Sequence, residues 1–305
     1  MIRVQYSDDL KSVKRRFLNG NRVNSLKQRW NNCVAKYPIL KKIFKGTIEE
    51  LMVGHFYMLA EIYERYQKLR VTLPEKQFEA IDTELKDAFD WKNKRDSINE
   101  FFMRERNGFS IHTCHYCDTA YINVYKDATG SKNHFDIDHV LDKGKCPMLT
   151  VSLMNFVPAC STCNSSIKQS SLIGDNRTEW IKLSPTNPRY DFSGNIEIEL
   201  RPMKAPKLRA LDSPHDYEIN FSVKGDPDYM KSVELFRLKH RYDYHKVEGL
   251  RLLDLKSRYT DKEIESIARI LKVSPSEIRE DIFGSDFSTK HHRTFGILKN
   301  DILNK

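Results

Sequence analysis

The sequence predicts an α+β chain, with a short strand-bearing core set between mainly helical N- and C-terminal regions. Three observations predict it. Apolar residues recur at helical spacing through residues 1–109. Between about 110 and 171 the pattern turns to β-formers and alternation. Two Cys-x-x-Cys pairs, Cys114 with Cys117 and Cys160 with Cys163, bracket that middle segment. The expected division is a helical region over 1–109, a core over 110–171 and a mixed strand and helix region over 172–305.

In the first region Thr47-Ile48-Glu49-Glu50 is a capping box. It opens a stretch carrying Leu51, Met52, Phe56, Leu59, Ala60, Tyr63 and Tyr66. A second helix follows Pro74, with Phe78, Ile81, Leu85 and Phe89 on one face. A third runs through Ile98, Phe101 and Phe102 and ends near Asn107-Gly108. These aromatic and Met stripes read as core packing.

In the middle region Thr119 to Tyr125 alternates, placing Ala120, Ile122 and Val124 on one face. Asp127-Ala128-Thr129-Gly130 makes a turn, and His134 to Val140 is the expected returning strand. Asn155 to Ala159 is a short further strand, and Ser161 to Gln169 a helix. In the last region Asn195–Leu200 and Tyr217–Val223 alternate, but Pro202, Pro206 and Pro214 between them suit an extended arm. One helix is expected from Asp228 to about Lys256. Thr260 and Ser274-Pro275 cap two more, and the phrase Glu265 to Ile278 reads as a helical hairpin rather than a base-reading helix-turn-helix.

The chain has 51 Lys plus Arg against 42 Asp plus Glu, a net charge of +9. That balance suits an anionic partner, most often nucleic acid. Basic residues cluster in Lys11–Arg16 and again at Arg237, Lys239 and Arg241, the latter beside Tyr242 and Tyr244. Such clusters suit nucleic acid and a solvated helix face equally. The opening residues Met1 to Asp9 have no apolar run, so no secretory signal is expected. No uncharged apolar stretch approaches a membrane span, and cysteines in close pairs favour metal in a reducing compartment. The expectation is a cytoplasmic protein with no membrane partner.

Two Cys-x-x-Cys turns supply four thiolates, the closed tetrahedral set of a structural zinc site. Residues 118–159, forty-two in all, separate the pairs, so the insert must fold with its ends together. His115 is not expected to ligate, because its flanking cysteines already do. Cys33 reads as a buried small hydrophobe, and Cys146 as a thiol outside the site.

Inside the cysteine frame lies Phe135-Asp136-Ile137-Asp138-His139, and Asn164 directly follows Cys163. Asp138 offers a carboxylate and Asn164 an amide oxygen to a hard cation, Mg2+ or Mn2+. His139 is a base suited to neutral pH. Together they are the parts needed to hydrolyse a phosphodiester. Asp136, two residues before Asp138, shares its face; it either orients waters of the metal or balances a nearby lysine.

These residues resemble the HNH, or ββα-metal, nuclease family, in which an Asp-His, an Asn and a further Asn or His recur in that order. The matching positions are Asp138-His139, Asn155 and Asn164, spread over about 60 residues. The resemblance implies a ββα-metal core, with His139 as general base and Asp138 and Asn164 as ligands of the catalytic cation. It further implies Asn155 bracing the loop and helping to orient His139, Lys168 touching phosphate, and products with 5′-phosphate and 3′-hydroxyl ends. Val140-Leu141-Asp142-Lys143 stands where many members have Pro, so the loop is expected to differ in length. DNA is the expected substrate ahead of RNA. Asn187-Pro188-Arg189-Tyr190-Asp191 and a Leu-rich helix through Val233–Arg251 resemble the Septu-type and retron-associated antiphage nucleases, which implies an ATPase partner and a role in defence. The alternative is a zinc-stabilised nucleic-acid or protein binding module with an inactive site.

Overall fold

A computed structural model describes residues 1–6, 9–20, 23–104, 107, 112–128, 130–204, 213–284 and 294–304. The chain groups into two compact units that interleave along the sequence. One comprises Arg3–Ile111 and Asn123–Tyr190; the other comprises Met1–Ile2, His112–Ile122 and Asp191–Lys305. The helical region and most of the strand core therefore share one unit, while 112–122 joins the C-terminal region.

The first unit begins with seven helices: α1 (Leu10–Gly20), α2 (Val23–Lys36), α3 (Leu40–Ile43), α4 (Ile48–Val53), α5 (Phe56–Thr72), α6 (Glu75–Phe89) and α7 (Trp91–Met103). The Thr47 capping box is present: its side chain accepts from Glu50 N, and Glu50 returns the bond to Thr47 N. The stretch it opens is two helices, because the chain breaks at Gly54-His55 before α5. The apolar face read for α6 is buried at Phe78, Ile81, Leu85 and Phe89. Asp90, at φ 42°, ends α6 and caps α7, its carboxylate accepting from Asn93 N at 3.4 Å. This one-residue corner sets the position of Trp91.

Two small antiparallel hairpins follow. β1 (Val124–Asp127) pairs with β2 (Gly130–Asn133), and β3 (Asp136–His139) with β4 (Phe156–Ala159). Two expectations need correcting. The first strand starts later than Thr119, because Ile122 N bonds His112 O and Thr113 bridges Tyr121 within 112–122. The strand expected over His134 to Val140 is β3, which pairs with β4, and the strand that returns along β1 is β2, starting at Gly130 of the expected turn. A π-helix (Thr162–Lys168) follows β4, with an i→i+5 bond from Gln169 N to Asn164 O, and α8 (Arg177–Leu183) ends the unit's ordered elements. Phe156, in register with His139, lies among Phe17, Phe102 and Trp91, with ring centroids 6.0–6.3 Å away. The N-terminal helices thus supply the apolar cover of the β3–β4 hairpin.

The second unit holds α9 (Phe192–Asn195), β5 (Ile196–Pro202), β6 (Tyr217–Val223), α10 (Met230–Leu235), α11 (Leu238–Tyr244), α12 (Lys246–Arg258), α13 (Asp261–Leu271), α14 (Pro275–Phe283) and α15 (Gly296–Leu303). The two expected strands pair as a hairpin, from Ile196 with Val223 to Pro202 with Tyr217, and the stretch read as an extended arm lies largely outside the described residues. The expected long helix is three, broken at Arg237, which takes φ 52°, and at His245. Gly249 lets α12 approach β5 closely, since a Cβ there would lie 2.6 Å from Leu200 Cδ1. Asp301 of α15 accepts from Ile198 N at 2.9 Å, tying the last helix to the same strand. The Thr260 and Ser274 caps form as read, and α13 and α14 make the expected hairpin. Among the described residues no helix is long and apolar enough to cross a membrane.

Candidate metal and active site

The Sγ atoms of Cys114, Cys117, Cys160 and Cys163 lie within 4.8 Å of one another, with three of the residues buried and Cys160 partly exposed. A tetrahedron with zinc–sulfur distances of about 2.3 Å places sulfurs about 3.8 Å apart. The donor set and its spacing therefore fit a zinc ion. None of the six cysteines is in a disulfide. The first Cys turn is built locally: Asp118 N bonds Cys114 O, Cys114 N bonds Ala120 O, and the Thr119 hydroxyl donates to Cys117 Sγ at 3.2 Å. Packing then fixes it. Tyr116 stacks on Phe236 at 4.4 Å, and the Tyr242 hydroxyl donates to Cys117 O at 3.0 Å. Tyr242 is thus fully buried and unavailable to a base, leaving Tyr244 exposed beside it. His115 turns away, with Nδ1 3.2 Å from Ile2 O. Cys146 stands outside the cluster, and burial pushes its thiol up.

His139 ends β3 and is 4% exposed. Its Nε2 lies 2.9 Å from Thr150 O, so Nε2 carries the proton and donates. That bond leaves Nδ1 as the basic nitrogen, buried and with no hydrogen-bond partner. Trp91 and Phe156 hold the ring edge-to-face at 4.6 and 5.1 Å. Burial first, then the charge of Lys143, holds the imidazole well below the usual histidine range; the Thr150 bond opposes this, and Lys168 adds to it. His139 is therefore neutral at physiological pH.

Asn155 fastens the loop that supplies the Thr150 carbonyl. Its Oδ1 accepts from Leu141 N at 2.8 Å, and its Nδ2 donates to Leu141 O at 3.0 Å and Leu149 O at 3.2 Å. The side chain is fully buried, so these bonds have no water to replace them. The loop from Val140 to Ser152 is closed at both ends by one amide.

The π-helix lies along β3. Lys168 Nζ reaches Asp138 at 3.1 Å to Oδ2 and 3.3 Å to Oδ1, and donates to His139 O at 2.8 Å. Asn164 Nδ2 donates to Asp136 Oδ2 at 3.1 Å, and the Ser165 hydroxyl to the same oxygen at 3.4 Å. Asn164 and Lys168 of the π-helix thus meet Asp136 and Asp138 of β3 in turn, Asp136 facing the Asn164 amide and Asp138 the Lys168 ammonium.

The sequence-predicted residues thus come together, but not all in their expected relations. Asn164 faces Asp136, and Asp138 is paired with Lys168. The expectation that Lys168 meets phosphate does not fit its position, because its side chain is 0% exposed and its ammonium is spent on Asp138 and His139 O. Asp136 bonds Asn164 and Ser165, the alternative of a lysine partner going to Asp138 instead. Sequence reasoning missed Trp91, the Thr150 carbonyl and Lys143, whose Nζ sits 5.4 Å from the Trp91 centroid. The only sequence signal for Lys143 is its nearness to His139. Comparison with known proteins finds no matching family model, curated protein or solved structure.

Proposed function

We propose that this protein is a metal-dependent endonuclease of HNH type that hydrolyses phosphodiester bonds in nucleic acid, with DNA ahead of RNA. One observation carries the reading: a buried, neutral His139 whose Nε2–H is tied to Thr150 O and whose Nδ1 has a lone pair and no partner. Such a nitrogen is prepared to take a proton from an attacking water. Asn155 keeps it so by holding the Thr150 loop. Asp138 and Asn164, with Asp136 beside them, are the residues that would hold the catalytic cation. When bound, that cation would neutralise charge on the phosphate. Zinc on the four cysteines would hold the shape. A cytoplasmic setting, an ATPase partner and a role against phage belong to the same proposal and rest on the resemblance of Asn187 to Asp191 and the Val233–Arg251 stretch.

A second reading has its own observation. The Lys168–Asp138 pair already neutralises the carboxylate on which the cation depends, which suits a zinc-stabilised binding module with an inactive site. Incubating purified protein with plasmid DNA and with RNA, with and without Mg2+ or Mn2+, separates the two. Cleavage that requires the divalent cation supports the nuclease. Binding with no cleavage in any divalent metal overturns it in favour of the module.

A further inference from the structure

With Lys168 buried, a phosphate approaching His139 must find its positive charge elsewhere. Lys143 stands in the loop just after β3, half-buried, with Nζ 5.4 Å from the Trp91 centroid. Trp91 in turn packs 4.6 Å from His139. The imidazole and the ammonium thus both lie against the one indole. Among the described residues no carboxylate forms a salt bridge with Lys143. The charges that act on Lys143 most are those of Asp138 and Asp142, ahead of Lys168 and Arg95; Asp142 also accepts from Gly144 N at 2.8 Å and Asp138 pairs with Lys168. Arg95, one turn beyond Trp91 on α7, is exposed and close enough to add its charge to that of Lys143. A cation over a ring face is attracted by the ring quadrupole and so is held in place.

We propose that Lys143 is a phosphate-positioning residue: its ammonium, steadied on Trp91, receives a backbone phosphate of the nucleic acid and sets the strand beside His139. The proposal rests on the nuclease reading of the same site and assigns to Lys143 the contact first expected of Lys168. Trp91 is then more than core, because it fixes the spacing between the base and the bound phosphate.

The test is the salt dependence of binding to a short fluorescein-labelled DNA duplex, read by anisotropy, in full-length protein carrying His139→Ala so that nothing is cut. Adding Lys143→Ala should weaken Kd roughly tenfold and lower the slope of log K against log salt by about one. Lys143→Arg should restore both, while Lys76→Ala, on the exposed side of α6, should change neither. In protein with His139 intact, Lys143→Ala should raise KM and leave kcat nearly unchanged. An unchanged Kd and slope, a loss that Arg does not restore, an equal loss in Lys76→Ala, or no DNA binding by any form would overturn the proposal. The Lys143 effect on binding without cleavage by the wild-type protein would defeat the nuclease reading alone and leave Lys143 as a phosphate contact.

Discussion

Replacing Lys168 by Met removes the ammonium while keeping most of the side-chain volume. In the native protein that ammonium is 0% exposed, 3.1 Å from Asp138 Oδ2 and 2.8 Å from His139 O, and the Asp138 side chain is 4% exposed. The variant leaves a buried carboxylate with its counter-ion gone and a carbonyl with one donor fewer. Breaking a buried pair from one side costs about 3–5 kcal/mol, whereas an exposed pair is worth about 1 kcal/mol or less. Urea unfolding followed by tryptophan fluorescence is the assay. All three tryptophans, Trp30, Trp91 and Trp180, lie in the unit that holds the pair, so the signal reports that unit alone. Combining Lys168→Met with Asp138→Leu should cost less than the two single changes summed, by at least about 1.5 kcal/mol. A single-variant loss under about 1 kcal/mol, or strict additivity in the double, would refute the burial of this pair.

Three other outcomes follow from the same geometry. Asn155→Ala strands Leu141 N–H and Leu141 C=O at a buried position, while Leu149 C=O keeps its bond from Ser152 N; at about 1–3 kcal/mol per orphaned group it should cost at least about 2 kcal/mol in the same unfolding assay, and a cost near zero would show that the loop is held otherwise. The protein should carry about one zinc per chain by elemental analysis, and Cys163→Ser should lower its thermal midpoint, because metal binding and folding are coupled; an unchanged melt would refute a structural zinc. For His139, the folded pKa lies below the unfolded value of about 6.5. As pH falls the unfolded chain takes up the proton first, so this group costs nothing above about pH 7. Below about pH 6.5 it lowers stability by up to about 1.4 kcal/mol per pH unit, until the folded pKa is reached. His139→Gln should remove that share of the acid sensitivity, and an identical pH dependence in both proteins would contradict the buried neutral imidazole.

How much was legible in the sequence follows from how local each feature is. The Thr47, Thr260 and Ser274 caps are written within four residues, and each forms. The cysteine pairs, Asp138-His139 and Asn155 were found because their chemistry is carried by residue type and spacing. Failures occur where tertiary structure decides. Arg237 at φ 52° breaks a helix that its own propensity would continue, and Ile122 is drawn into a bridge that shortens the expected strand. The partners of the site are hidden for the same reason. A backbone carbonyl at Thr150 has no sequence signature, and Trp91 reaches His139 only through the one-residue corner at Asp90. Lys168 shows that the right residue can be read with the wrong role, since a lysine on a helix looks solvent-facing until the strand beneath it is known. The N-terminal helices also build the apolar cover around Phe156 and His139.

The central claim is that His139 is the base of a phosphodiester hydrolysis. The single-turnover cleavage rate of wild-type protein beside His139→Ala, at saturating Mg2+ and with DNA affinity measured in parallel, tests it most directly. The account predicts a fall of about 10²–10⁴ in rate with affinity unchanged. Equal rates in the two proteins would contradict it.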